Sequence, residues 1–402
     1  MELTAGYPFW LMHDGLPFTY PKLATHSASR VAIIGGGISG ALTAYYLTES
    51  GVECILLDGR TIGLGSTCAS TSLLQYELDK PLHQLIEQVG EYNAVRAYQL
   101  CGESIATLTD IMKRIGFDGF EMRKSLFYTS HTSDLSFMKS ELEARENAGF
   151  EVSLLTGKDM MEEYGMEAAY GILSKIGATV NAYALTHALL QYCIGKGMRV
   201  YDRSGVTDIQ YKSSGVEFKT ADGCIVKCAR LVNASGFEIV NFISKGIVDL
   251  YCTYALVSEN EQEKEAIWKD RIMIWNTEDP YLYMRLTKDN RILIGGRDER
   301  YSNKASRQLY EKKSENLQKD FEKLFPGKTI RPEFAWSGTF GRTRDALPYI
   351  GAYEKTPATY YALGFGGNGI TFSVIAAQII ADLILEKENA DAEIFSFNRK
   401  IK

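Results

Sequence analysis

Continuous apolar runs broken by glycine alternate along this chain with stretches where apolar residues recur every three or four positions, which predicts a mixed α/β protein. Val31 to Ile34 is such a run, the pattern of a strand buried on both faces, and Gly35-Gly36-Gly37-Ile38-Ser39-Gly40 follows at once to open a helix. A second run, Val52 to Leu57, closes on Asp58. Ala94, Ala97, Cys101, Ile105, Leu108, Ile111 and Ile115 keep helical spacing, as do Leu309, Leu317, Phe321 and Leu324 up to a Pro326-Gly327 stop. Tyr251 to Val257, Tyr281 to Leu286 and Ile292 to Gly295 read as strands, the last two turning at Asp289-Asn290. Tyr360 to Leu363 predicts one more strand, Gly364-Phe365-Gly366-Gly367-Asn368-Gly369 a turn, and Ile370 to Glu386 a helix apolar on nearly every face.

The first two runs with their turn have every part of a dinucleotide-binding βαβ unit. Gly35 lets the chain leave the strand sharply. Gly37 keeps side-chain atoms away from a pyrophosphate, and Gly40 lets the helix approach the strand. The N–H groups from Ile38 and Ser39 onward meet the phosphate charge. Asp58 accepts hydrogen bonds from a ribose and repels an extra phosphate, so FAD or NAD is expected and NADP is not.

Composition changes the picture only by exclusion. A chain of 402 residues, 45% hydrophobic and 23% charged, has the size for two domains. Its net charge of −6 and the absence of basic runs argue against nucleic acid. No apolar stretch is long enough to span a bilayer, and residues 1–30 lack the order of a secretory signal, so a cytoplasmic location is expected. The seven cysteines are scattered and the five histidines far apart, which predicts reduced thiols and no metal site.

After Asp58 and Arg60 comes a loop of small and hydroxyl residues, Gly63 to Gln75. It is either an ordinary polar connection or the bed of a long ligand, with Gly65, Ser66, Thr67, Ala69, Ser70 and Thr71 as contacts. The second glycine motif has too little chain behind it to hold a dinucleotide of its own. It is either a packing turn or a helix N-terminus brought against the far end of the first cofactor, with Gly364, Gly366, Gly367, Asn368, Gly369, Ile370 and Thr371 as contacts.

Three segments together resemble the FAD-dependent oxidoreductases related to D-amino acid oxidase, glycine oxidase and monomeric sarcosine oxidase. They are the βαβ unit with Gly65-Ser66-Thr67, the segment Leu231-Val232-Asn233-Ala234-Ser235-Gly236, and the stretch from Trp336-Ser337-Gly338 through Thr343-Arg344-Asp345-Ala346-Leu347-Pro348 to the final glycine loop. The resemblance implies α/β architecture with an α+β insert. A Rossmann-type FAD-binding domain from 1–80, 150–237 and 334–402 would carry a substrate domain, 81–149 and 238–333, built on an antiparallel or mixed sheet with helices. It places Val206, at the end of a short strand, against adenine, and adds Ala234, Ser235, Gly236 and Gly338 to the FAD contacts. The implied reaction is hydride transfer from an amine or amino acid carbon to flavin, with oxygen or another acceptor as the second partner. No cysteine lies in 342–351, where sarcosine oxidases attach the ring, so FAD is expected to be non-covalent.

The chain departs from its relatives where they bind a carboxylate. Phe340 and Gly367 stand at the positions where glycine oxidase has arginines. Arg342 is one candidate replacement. Arg285 is the other, because alternation puts Tyr281, Tyr283 and Arg285 on one strand face, which either lines the cleft or is the wet side of the sheet. Asn368-Gly369 stands where an aromatic flavin hydroxylase needs Gly-Asp, which disfavours that class. A non-catalytic or electron-transfer flavoprotein stays open.

Overall fold

The computed structural model describes residues 3–241, 243, 246–260, 267–301 and 307–399. The βαβ unit forms as strand Ser27–Ile34, helix Ile38–Glu49 and strand Cys54–Leu57. The two strands pair in parallel with Ile34 opposite Leu57, and Val31, Ala32 and Ile33 are fully buried between layers. Gly35 leaves the first strand at φ +110°, a left-handed turn that favours glycine. A Cβ on Gly40 would overlap the Gly35 carbonyl, so its absence sets the helix against the strand.

Five parallel strands lie in the order Arg199–Tyr201, Cys54–Leu57, Ser27–Ile34, Ile225–Asn233, Thr359–Leu363. Ile225–Asn233 is long enough to pair also with the antiparallel hairpin Val206–Lys212 and Gly215–Thr220, while Tyr349–Ala352 closes antiparallel on Thr359–Leu363. The strand ending in Leu363 thus enters the sheet one strand away from the first unit, across Ile225–Asn233, and both glycine turns open at the carboxyl ends of the parallel strands, where open α/β sheets hold ligands.

The second layer is a nine-stranded mixed sheet. Its order is Thr4–Gly6, Pro332–Arg342, Asp249–Ser258, Ile292–Arg300, Tyr283–Leu286, Met273–Asn276, Ser125–Thr129, Tyr170–Ser174, Val152–Thr156. Helix Arg307–Leu324 covers one face, packing Leu317 and Phe321 on Leu256 and Ile294. The other face looks toward the glycine turns.

The structure moves the expected domain boundaries. Val152–Thr156, Tyr170–Ser174 and Pro332–Arg342 from Phe334 onward, assigned by sequence to the FAD-binding pieces, hydrogen-bond into the nine-stranded sheet, Tyr170–Ser174 through Ser125–Thr129 and Pro332–Arg342 through Asp249–Ser258, partners remote in sequence. Helix Glu91–Ile115, expected in the substrate domain, buries Ala94, Cys101 and Leu108 in the same core as helices Ile38–Glu49 and Gly369–Ile384. Val206 begins its strand rather than ending one. Among the described residues no helix is long and apolar enough to cross a membrane, and no His, Cys, Asp and Glu group has the arrangement of a metal site.

Candidate active site

A single cleft runs between the layers from Asp58, past the first glycine turn, to the second. At its entrance Gly35, Gly37, Ile38 and Ser39 face the Gly65-Ser66-Thr67 loop. The Thr67 hydroxyl accepts the Ile38 N–H at 3.1 Å, and a Cβ on Gly37 would stand 2.9 Å from that same oxygen, so the slot between turn and loop is one that a side chain would fill. The Asp58 carboxylate is held at 2.6 Å by each of the Gly36 and Arg60 N–H groups. Burial pushes its pKa up, and those N–H groups with the Arg60 charge oppose the shift. Arg60 forks onto Glu238 at 2.7 and 2.5 Å, a pair that no sequence spacing announced. Val206, Ala234, Ser235 and Gly236 complete this end.

The middle of the cleft is lined by Ala69, Ser70 and Thr71, and three side chains hold their carbonyls in succession. Trp336 Nε1 donates to Ala69 at 2.9 Å, Trp10 Nε1 to Ser70 at 2.7 Å, and Arg285 Nε to Thr71 at 2.8 Å. Gly338 lies beneath, where a Cβ would crowd Ala69 at 3.3 Å. Leu3 reaches the cleft wall because strand Thr4–Gly6 adds to the edge of the nine-stranded sheet. This N-terminal contribution carries no periodic pattern and was not foreseen.

Arg285 is therefore a scaffold residue, not the substrate wall that alternation left open. It is 3% exposed, its Nη2 donates to the Val180 carbonyl at 3.3 Å, and its guanidinium lies 5.2 Å from the Trp10 ring centroid. Burial pulls its pKa down to about 9. Arg285→Leu is expected to strip Thr71 and Val180 of a charged donor and weaken FAD affinity about tenfold or more, on the scale of ~1.5–3 kcal/mol for such a bond. Flavin release followed by fluorescence checks this, and unchanged affinity with slowed substrate reduction would return Arg285 to the substrate wall.

At the far end Gly364, Gly366, Gly367, Gly369 and Ile370 face Tyr281, Tyr283, Thr253, Phe340 and Asp298 on the sheet. The Asp79 carboxylate accepts the Gly367 N–H at 3.0 Å and the Tyr281 hydroxyl at 3.0 Å, tying the glycine loop to the sheet. Thr253 and Tyr283 hydroxyls meet at 3.0 Å. Burial raises the pKa of both tyrosines, so they stay neutral.

Three expected contacts do not line the cleft. Gly40 faces the Gly35 carbonyl, Asn368 turns its amide to the Gln75 and Glu77 carbonyls, and Thr371 donates to the Asn368 carbonyl. Each shapes the site from behind. Gln75 lines the cleft, whereas Tyr76 and Glu77 are buried beneath it.

Arg342 stands beside the cleft, on a neighbouring cavity that shares Tyr281, Gly364 and Gly366 with it. Its Nη2 donates to Asp298 at 3.0 Å and its Nη1 to Asp279 at 3.3 Å, with the Tyr251 and Phe340 ring centroids at 5.1 and 5.2 Å.

A glycine cradle, a ribose acceptor, an extended slot and a helix N-terminus at its end are the parts that would hold a two-part nucleotide between the layers. The chain belongs to the FAD dependent oxidoreductase (DAO) family, whose pattern matches residues 30–383. It is 26% identical over 380 residues to gamma-glutamylputrescine oxidoreductase of Escherichia coli (strain K12), covering 91% of this chain and 84% of that protein. It is 25% identical over 387 residues to glycine oxidase of Geobacillus kaustophilus (strain HTA426), covering 92% and 97%. The crystal structure of glycine oxidase from Geobacillus kaustophilus superimposes with a TM-score of 0.80 at 22% identity, over 94% of this chain and 100% of that one. The protein is an FAD-dependent oxidoreductase.

Proposed function

We infer that this enzyme oxidises the C–N bond of an amine, with the electrons passing finally to oxygen or another acceptor. The observation that carries this is charge: among the described residues lining the far end of the cleft, Asp298 is the charged one, and the nearest guanidinium, Arg342, is already committed to Asp298 and Asp279. With Asp79 close by, carboxylates outnumber Arg342, and the site suits a cation better than an anion. FAD bound along the slot supplies the two-electron acceptor for a hydride from the substrate carbon. The protein's own contribution is to bind and orient that carbon, with Tyr281, Tyr283 and Phe340 as walls and the Gly369–Ile384 helix N-terminus favouring negative charge at its end of the cleft.

A second reading is favoured by Arg342 Nε, which is buried without a partner among the described residues. An amino acid could place its carboxylate there. Anaerobic bleaching of bound flavin by putrescine, benzylamine, glycine, sarcosine, D-alanine and L-proline tests both. Amines are expected to bleach it, and the amino acids to react more slowly than the amines. If only amino acids react, and Arg342→Leu slows them by about ten- to a hundredfold, as losing a bond of ~1.5–3 kcal/mol does, the second reading holds.

A further inference from the structure

Strand Ile292–Arg300 carries an irregularity whose effect is to turn one carboxylate around. Ile292 and Ile294 pack against helix Arg307–Leu324, and simple alternation would send Asp298 to that same face. The ladder with Asp249–Ser258 slips, however. Gly296 pairs with Tyr254 and Glu299 with Cys252, so Arg297 and Asp298 together oppose Thr253. This is a bulge, with Gly296 at φ +143° and Arg297 at φ +59°. A non-glycine residue held in the left-handed region marks a conformation that its surroundings impose. Beyond the bulge Glu299 points back to the helix side, where it meets Tyr254 and Lys313, and Arg297 pairs with Asp320 of that helix. Asp298 alone of the three lines the cleft.

Its side chain is 5% exposed, Oδ2 is held by Arg342 at 3.0 Å, and Oδ1 is buried with no hydrogen-bond partner among the described residues. The groups that face it are Thr253 and Tyr283 from the adjoining strands, Arg342 from Pro332–Arg342, and Asp279, Tyr281 and Asp79 from the loops. We propose that Asp298 is the residue that receives the substrate's amino group, taking a proton from its ammonium on Oδ1. The N–H bond breaks and an O–H bond forms, the electron pair stays on nitrogen, and the free amine can then form the C=N bond as its carbon gives up hydride. Arg342 remains on Oδ2 and keeps the carboxylate aimed. Burial raises the Asp298 pKa to about 6, against the pull of Thr253 and Arg342 and with the help of Asp79 and Asp279. The carboxylate is thus ionised above that pH and basic enough to share a proton with a desolvated ammonium.

This proposal rests on the amine reading but is tested apart from it. FAD-loaded wild type, Asp298→Asn and Asp298→Glu are titrated with methylammonium chloride and, separately, sodium acetate, from pH 5 to 8, and the shift in flavin absorbance is followed. Methylammonium is expected to bind the wild type with an affinity that rises through about pH 6. Asp298→Asn should lose tenfold or more and the pH dependence with it, Asp298→Glu should recover part of both, and acetate should not compete. FAD content and melting midpoint equal to wild type show that Asp298→Asn is folded. Equal methylammonium binding by wild type and Asp298→Asn, or none by either, overturns the proposal. Asp298-dependent binding alongside flavin that no amine bleaches would leave a cation site at Asp298 but refute the C–N reading, and the proton transfer with it.

Discussion

Gly37→Val is expected to yield folded, colourless protein, whereas wild type is yellow and releases its flavin into the supernatant on acid precipitation. Gly37 sits at φ −85° and ψ −173°, extended backbone that any residue adopts, so valine imposes no strain on the turn. What it adds is bulk in the slot facing Thr67, where the pyrophosphate must approach the helix N–H groups. Losing those contacts together removes several kcal/mol, and each 1.4 kcal/mol is about tenfold in affinity. Circular dichroism should match wild type while the flavin content falls close to zero. Gly40→Val serves as contrast, since its side chain collides with the Gly35 carbonyl and should prevent folding altogether. Full flavin occupancy in Gly37→Val would place the cofactor elsewhere.

The second large effect concerns a charge cluster buried behind the site. Arg145 is completely buried, donating from Nε to Glu141 at 2.6 Å and from Nη1 to Glu77 at 3.3 Å, with the Phe127 ring centroid 5.1 Å from its guanidinium. Glu141 also accepts the Leu82 and His83 N–H groups at 3.0 and 3.1 Å, capping helix Leu82–Val89. Burial pushes the Glu77 pKa up while Arg145 resists. For Glu141, burial acts upward, but Arg145, His83 and Leu82 carry it below its ordinary value. Arg145→Met leaves both carboxylates without their cation and should cost about 3–5 kcal/mol. Urea unfolding measures it directly. The Glu77 carbonyl accepts the Asn368 amide at 2.8 Å, so flavin content should drop in the same variant. Glu77→Gln in that background should restore part of the stability. A midpoint within experimental error of wild type would show that the cluster is dispensable.

What was legible in the chain follows how local the physics is. The turns at Gly35 and Gly364 and the acid at Asp58 could be read because strand, turn and helix lie within a few residues of each other, and all three line one cleft. Alternation put Tyr281, Tyr283 and Arg285 on one face and left open whether it lines the cleft; Tyr281 and Tyr283 lie among the cleft-lining residues. Neither alternative described Arg285, because the same face is covered farther along by Trp10, from a segment with no periodic signal. Asp298 escaped for the opposite reason: the bulge at Gly296 and Arg297 breaks the alternation that would have hidden it against the helix. A glycine pair before a charged residue, Gly295-Gly296-Arg297-Asp298, was the available signal. Arg342 was read as a candidate for a substrate carboxylate, whereas its commitment to Asp279 and Asp298 depends on segments far apart in sequence. The boundaries of the two layers failed likewise, since the pairing of Tyr170–Ser174 with Ser125–Thr129 crosses two helices and a strand that give no hint of it.

The C–N reading is tested most directly by a single turnover without oxygen. Wild-type enzyme is mixed with excess of its best amine and with the same amine deuterated at the carbon next to nitrogen, and flavin bleaching, carbonyl product and released amine are counted together. One carbonyl and one amine or ammonia per flavin bleached are expected, with the deuterated substrate bleaching several-fold more slowly because its C–H bond is the one that breaks. Flavin left oxidised by every amine and amino acid, but bleached by a hydroxyl substrate such as sn-glycerol 3-phosphate, would contradict it.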